Sequence, residues 1–206
     1  MAQSEEQARW SHYYQALIGR PPRPLLIEAL TACGDGAVAA PTRWAADLGC
    51  GDGTETLALL EAGWHVLAID QQSEAIQLVQ RKVAPELQPR LQTRVTAFEH
   101  LVLPPVDFVY AGFSLPFCTP QHFPRLWEGI VAALAPGGVF AGQLFGEHDS
   151  WASNPERTFH TRADVQTLLA PFEIDVLREV EEDGHAVSGP KHWHVFHIIA
   201  RKRHAP

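Results

Sequence analysis

The chain has 206 residues, 46% of them hydrophobic and 19% charged, with a formal net charge of −8. That is a globular composition and enough chain for one domain with a full core. The acidic balance, with no basic run beyond Arg201-Lys202-Arg203, excludes a protein that grips a nucleic-acid backbone, which needs a basic footprint.

Apolar stretches such as 130–135 are far too short to span a bilayer, so no membrane partner is expected. The N-terminus lacks the basic-then-apolar pattern of a secretory signal. Cys33, Cys50 and Cys118 are odd in number and widely spaced, giving neither a metal pattern nor a disulfide framework. The expectation is a cytoplasmic protein with reduced thiols, a monomer or homodimer acting on a small molecule.

In chain order, Trp10, Tyr13, Tyr14, Leu17 and Ile18 repeat at helical spacing, and Gly19 with Pro21-Pro22 ends that helix. Residues 24–33 read as a second helix, stopped by Gly34-Asp35-Gly36. Residues 1–38 are thus an N-terminal helical segment, and 39–206 the main domain.

Trp44 to Leu48 then reads as a buried parallel strand. It runs into Gly49-Cys50-Gly51-Asp52-Gly53-Thr54 and a helix over 55–62. Strand, glycine turn and helix present bare N–H groups and a helix N-terminus to a ligand. The spacing is not that of the dinucleotide fingerprint, because the third glycine falls one place early. Asp47, two residues before the first glycine, would repel a pyrophosphate but suits a sulfonium and an ammonium group. The next strand, 64–69, ends in Asp70 about 20 residues on, where an acid can take ribose hydroxyls. Asp52 and Thr54 are equally well explained by turn and N-cap chemistry.

The run Asp47-Leu48-Gly49-Cys50-Gly51-Asp52-Gly53 together with Asp70 resembles motif I and the acidic motif of class I S-adenosylmethionine-dependent methyltransferases. The resemblance implies an α/β, Rossmann-like, seven-stranded and mostly parallel sheet. Its order would be 3-2-1-4-5-7-6, with strand 7 antiparallel and helices on both faces. It also implies S-adenosylmethionine as cofactor and S-adenosylhomocysteine as product. Asp47, Gly49, Cys50 and Gly51 would surround the methionine moiety, with Asp70 on the ribose and Gln71 and Phe98 flanking the adenine. The first helix would form a lid, with Tyr14 reaching the substrate; the alternative is that it simply packs on the sheet.

Farther along, Ser73 is expected to cap a helix ending at Arg81-Lys82, and 91–97 is the third strand. The family's adenine-binding acid falls at Ala97, a departure for which Glu99 is a candidate substitute. After the apolar fourth strand, 106–112, Phe113-Ser114-Leu115-Pro116-Phe117 takes the place of motif IV. It lacks the Asn/Asp-Pro-Pro-Tyr/Phe sequence of the amide N-methylating enzymes that act on DNA. Phe113 is assigned to the cofactor side and Phe117 to the substrate side, with core packing as the alternative for both.

A helix over 124–134 and an Ala-Pro-Gly-Gly turn precede the fifth strand, 139–145. His148, Asp149 and Trp151 follow at its C-terminal end, where an open α/β sheet places its crevice. His148 and Asp149 are the candidate bases for a hydroxyl acceptor, and Trp151 a substrate contact. Thr161 caps a helix through Leu169. Residues 172–181 and 191–202 form an edge hairpin, with Asp183-Gly184 a turn inside a longer loop. His192 and His194 share one strand face, but no third ligand with metal spacing is visible, so no metal site is assigned.

The later motifs, including Gly142-Gln143-Leu144-Phe145-Gly146 and Lys191-His192-Trp193-His194, are similar to small bacterial tellurite-resistance-type and other small-molecule methyltransferases. The expected activity is methyl transfer by in-line displacement to an O, S, N or chalcogen nucleophile. The alternative is a non-catalytic subunit that binds the cofactor or its product.

Overall fold

The computed structural model describes residues 2–33 and 42–204. Helices α1 (Ala2–Ala16) and α2 (Pro24–Cys33) lead into β1 (Trp44–Leu48), α3 (Thr54–Glu61), β2 (His65–Asp70), α4 (Ser73–Lys82) and β3 (Leu91–Val95). The chain continues through β4 (Val106–Ala111), α5 (Phe123–Ala133), β5 (Leu134–Gly146), β6 (Phe159–His160) and α6 (Arg162–Leu168). It closes with β7 (Phe172–Ala186) and β8 (Gly189–Lys202). The stop expected at Gly34-Asp35-Gly36 and the boundary expected at 38/39 lie outside the described residues.

The strands order as β3-β2-β1-β4-β5-β8-β7, with β8 antiparallel to both of its neighbours. This is the expected 3-2-1-4-5-7-6 order once the two-residue β6 is set aside. β6 pairs in parallel with the end of β5, Phe145 to Phe159 and Gly146 to His160. It is too short to leave a period in the sequence.

Alternation along each central strand builds two cores, one per sheet face. On β2, Leu67 and Ile69 join Val109, Phe140, Trp127 and Ile130 of α5 on one face. Val66 and Ala68 join Leu59, Val79 and the α2 residues Leu25, Leu26 and Ala29 on the other. So α2 packs into the same core as the rest of the domain. β7 lies at the sheet edge, and its charged residues, among them Glu173, Glu181 and Glu182, discourage pairing with another chain.

Three local expectations are corrected. Helix α4 begins at Ser73 with Gln72 as N-cap and no side-chain cap bond, so Ser73 is not the cap. The Ala-Pro-Gly-Gly turn lies inside β5 as a bulge, because Val106 pairs with Leu134 and Phe108 with Val139. The terminal hairpin is long and tight. Asp183 pairs with His192, Gly184 with Lys191 and Ala186 with Gly189, leaving only Val187-Ser188 as the connection. Asp183-Gly184 reads locally as a turn, yet cross-strand pairing carries both residues into the ladder. Thr161 does cap α6, in a capping box with Asp164.

Candidate active site

A cavity of about 640 Å3, its open mouth included, lies beyond the C-terminal ends of β1, β2 and β4. One side is lined by Gly49, Gly51, Asp70, Gln71, Thr96, Phe98 and Glu99, the other by Trp10, Tyr13, Tyr14, Gly112, Phe113, Ser114 and Phe117.

The glycine loop is pinned to β2. Gly49 and Cys50 donate N–H to the Ile69 carbonyl at 2.8 and 2.9 Å. Gly49 has φ 72, and a Cβ there would overlap Ser114, so the close approach of the motif IV segment requires glycine. Gly51 has φ 52, and its N–H donates to Asp70 Oδ2 at 3.0 Å, while Gln72 N–H donates to Oδ1 at 2.9 Å. Burial pushes the Asp70 pKa up, and these backbone donors offset part of that rise. Each carboxylate oxygen keeps lone-pair capacity for a further donor.

Asp47 is not a lining residue. It is 2% exposed and accepts from Thr56 Oγ1 at 2.6 Å. Burial raises its pKa to about 7, against the Thr56 hydrogen bond. Asp47 therefore stands behind the loop and not in the cavity wall. Cys50 is also buried behind the loop, its thiol pushed up by burial. Just beyond β3, Thr96 lines the cavity in place of Ala97. Ala97 is the residue before a short 3-10 turn, Phe98–His100, which presents Phe98 and Glu99.

Asp52 and Thr54 do not cap α3, whose N-cap is Gly53 without a side-chain bond. Asp52 instead receives Lys82 at 2.6 Å and Arg20 at 3.4 Å. Although burial pushes its carboxyl up, the bonds from Lys82 and Thr54 hold it below the usual carboxylate range. Arg20 also meets Glu55, whose Oε1 accepts the Arg23 N–H at 3.1 Å. These pairs tie the segment after α1 to the loop-bearing helix. The α1 helix is tied as well, through Ser11 with Glu74 and through Trp10 against Phe117, ring centroids 5.1 Å apart. Ile18 is 67% exposed and lies beyond the helix end, so only Trp10, Tyr13 and Tyr14 of the expected face reach the cavity.

Phe113 has φ 57, the one non-glycine with positive φ among the described residues. Its N–H donates to Gln143 Oε1 at 3.1 Å, and Gln143 is 1% exposed. A bulky residue held in this sparsely populated region is strained, a condition found at ligand sites. The buried Tyr110 hydroxyl has no hydrogen-bond partner among the described residues. It sits 2.9 Å from the position of a Cβ on the cavity residue Gly112, an orphan donor.

His148, Asp149 and Trp151 do not line the cavity. Asp149 is fully occupied. It pairs with the buried Lys191 Nζ and accepts from Trp151 N–H at 2.9 Å. Lys191 in turn lies 3.9 Å from the Trp151 ring centroid and 4.4 Å from that of Trp193. Asp149 and Trp151 therefore build the wall behind Phe145 and Phe113. His148 is exposed and meets Glu181 at 3.2 Å. Sequence proximity to the end of β5 does not reveal that the following turn folds back onto β8.

His148, Glu181 and His194 bring three ligand atoms within 4.8 Å of one another. His194 has no lone pair to give a metal, however. Its Nδ1 accepts from His148 N–H at 3.1 Å and its Nε2 meets Glu179 at 2.9 Å.

Fold and cavity define an α/β domain with its crevice at the carboxyl ends of its strands, where an open α/β sheet binds its ligands. Residues 45–138 match the methyltransferase domain family, and the chain has the class I S-adenosylmethionine-dependent methyltransferase fold. Among solved structures it is similar to TehB from Haemophilus influenzae, with TM-score 0.71 and 14% identity over 86% of this chain and 61% of that one. The chain thus spans about three fifths of the TehB chain's length. It is similar to an S-adenosylmethionine-dependent methyltransferase from Methanosarcina mazei, with TM-score 0.65 and 22% identity over 90% of this chain and 100% of that one. It is also similar to magnesium protoporphyrin IX methyltransferase from Synechocystis with bound S-adenosylmethionine, with TM-score 0.63 and 14% identity over 93% and 80%. No curated protein sequence is significantly similar to the chain. No helix among the described residues is long and apolar enough to cross a membrane.

Proposed function

We propose that this chain is an enzyme that methylates a small-molecule acceptor, using S-adenosylmethionine held in the cavity beneath α1. The observation that carries this is the junction of two unlike walls in one cavity. A glycine loop with Asp70 locked to its Gly51 N–H faces an aromatic wall made by α1 and the motif IV segment. The residues fit the cofactor: Gly49 and Gly51 leave the backbone bare, Asp70 has acceptor capacity for ribose hydroxyls, and Phe98 offers a face to adenine. Glu99 is the substitute for the family's missing acid at Ala97, and the orphan Tyr110 hydroxyl is a donor near Gly112. Asp47 acts electrostatically from behind.

When bound, S-adenosylmethionine supplies a methyl carbon already activated by its sulfonium. The chain's own work is alignment and exclusion of water. Trp10, Tyr13 and Tyr14 cover the cavity as a lid, and Phe113, fixed by Gln143, forms the floor beside Phe117. No imidazole lines this half of the cavity, and its buried Tyr14 phenol has its pKa pushed up by burial. The reading therefore favours an acceptor that arrives already nucleophilic and needs no general base. The same lack keeps a second reading in view, a subunit that binds the cofactor without turnover.

The test is incubation of the protein with S-adenosylmethionine and a panel of thiolate, carboxylate, amine, phenol and chalcogenide acceptors, with S-adenosylhomocysteine release measured. Release that depends on an acceptor supports the enzyme. Tight cofactor binding with no release across the panel supports the binding subunit.

A further inference from the structure

Arg157 is a half-buried cation without an acid. Its guanidinium carbon lies 4.8 Å from the ring centroid of Phe117, a cavity residue, and 4.1 Å from that of Trp151. Among the described residues no carboxylate lies within ion-pair distance, and no hydrogen bond reaches the guanidinium. The nearest acid it senses, Asp149, is committed to Lys191. Burial and the neighbouring Arg9 both weigh against its charge, and Arg9 itself stacks on Trp10 at 5.5 Å. The backbone next to Arg157 is fixed, since Thr158 donates N–H to Pro116 O at 3.0 Å and Oγ1–H to Cys118 O at 2.7 Å. The guanidinium is therefore held against the motif IV segment by design of the fold.

A chain with net charge −8 has acids to spare, so a partially desolvated arginine left unpaired beside a cavity carries an unmet demand for an anion. A second unmet donor agrees. Trp10 Nε1 is buried with no partner among the described residues, and Trp10 lines the cavity against Phe117. The same side of the cavity carries the rings of Tyr13, Phe113 and Phe117 beside Gly112 and Ser114, and such rings accept a flat apolar body.

We infer that the acceptor is a flat, apolar molecule bearing a carboxylate, its body against the ring wall and its anion met by Arg157 and the Trp10 indole N–H. This rests on the methyltransferase reading of the cavity.

The experiment is calorimetric titration of the full chain, first with S-adenosylhomocysteine, then of the loaded protein with 2-naphthoate and with neutral 2-naphthalenemethanol. The expected result is at least tenfold tighter binding of the naphthoate. Arg157→Gln removes that preference, Arg157→Lys restores part of it, and both variants keep the wild-type affinity for S-adenosylhomocysteine. Equal binding of the two probes, no naphthoate binding by the loaded protein, or a preference that survives in Arg157→Gln overturns the inference and leaves the cofactor reading standing. Failure to bind S-adenosylhomocysteine overturns the cofactor reading instead.

Discussion

The two walls of the cavity are built by different means. The cofactor wall is local: one strand, one loop and one acid from the neighbouring strand, joined by backbone N–H bonds to Asp70 and the Ile69 carbonyl. The acceptor wall is assembled from distant pieces. It draws on α1, the segment after β4 and, behind them, a Lys191–Asp149 pair that joins β8 to the turn after β5. A local wall tolerates change elsewhere, whereas an assembled one depends on buried pairs far from the cavity.

The sharpest way to break that contrast is Asp149→Ala. It leaves Lys191 buried without its counter-charge and should cost about 3–5 kcal/mol of stability. S-adenosylmethionine affinity of the folded fraction should remain as in wild type. Denaturant unfolding and calorimetry measure the two, and a loss of affinity without loss of stability would return Asp149 to the site. Next in size is Gly49→Val on the cofactor wall. The positive φ and the overlap with Ser114 together should cost about 2–4 kcal/mol, and binding should disappear.

Acid should separate the halves as well. Burial lowers the His160 pKa from 6.5 to about 4. Its neutral form is the one the fold accepts, so its contribution is intact above pH 6.5. That contribution is lost as pH falls toward 4, by up to about 3 kcal/mol. The difference in unfolding free energy between wild type and His160→Leu, followed from pH 8 to 4, should show that slope, and a flat difference would contradict it. Smallest is Asp70→Asn, which keeps the shape but not the charge. It turns one acceptor oxygen into an NH2 that faces a backbone N–H, so it should weaken cofactor binding by about 1–2 kcal/mol and lower the thermal midpoint as well, as read by calorimetry and thermal melts.

The same division explains what was legible in the sequence. Gly49, Gly51 and Asp70 lie in one strand–turn–helix–strand unit, where residue spacing and backbone geometry are tied, so the motif maps directly onto the wall. The core strands are legible because 66–69 is apolar throughout and 106–111 is apolar but for Asp107. The turn at Val187-Ser188 was hidden, because Asp183-Gly184 carries the stronger local turn signal and only cross-strand pairing overrides it. His148 and Asp149 were read as bases from their position after β5, but charge pairing with residues some 30 to 40 places away decides where they point. Trp10 and Tyr13 carry a visible helical period, and the family resemblance supplies its destination, a lid over the site. Arg157 carries no signal at all, since a cation without an acid partner among the described residues is defined by what does not surround it.

The central claim is that this cavity holds S-adenosylmethionine, and calorimetric titration of the purified, dialysed chain with S-adenosylmethionine and S-adenosylhomocysteine tests it most directly. The account predicts saturable 1:1 binding of both, lost in Gly49→Val. Absence of binding to either ligand by a folded protein would contradict it.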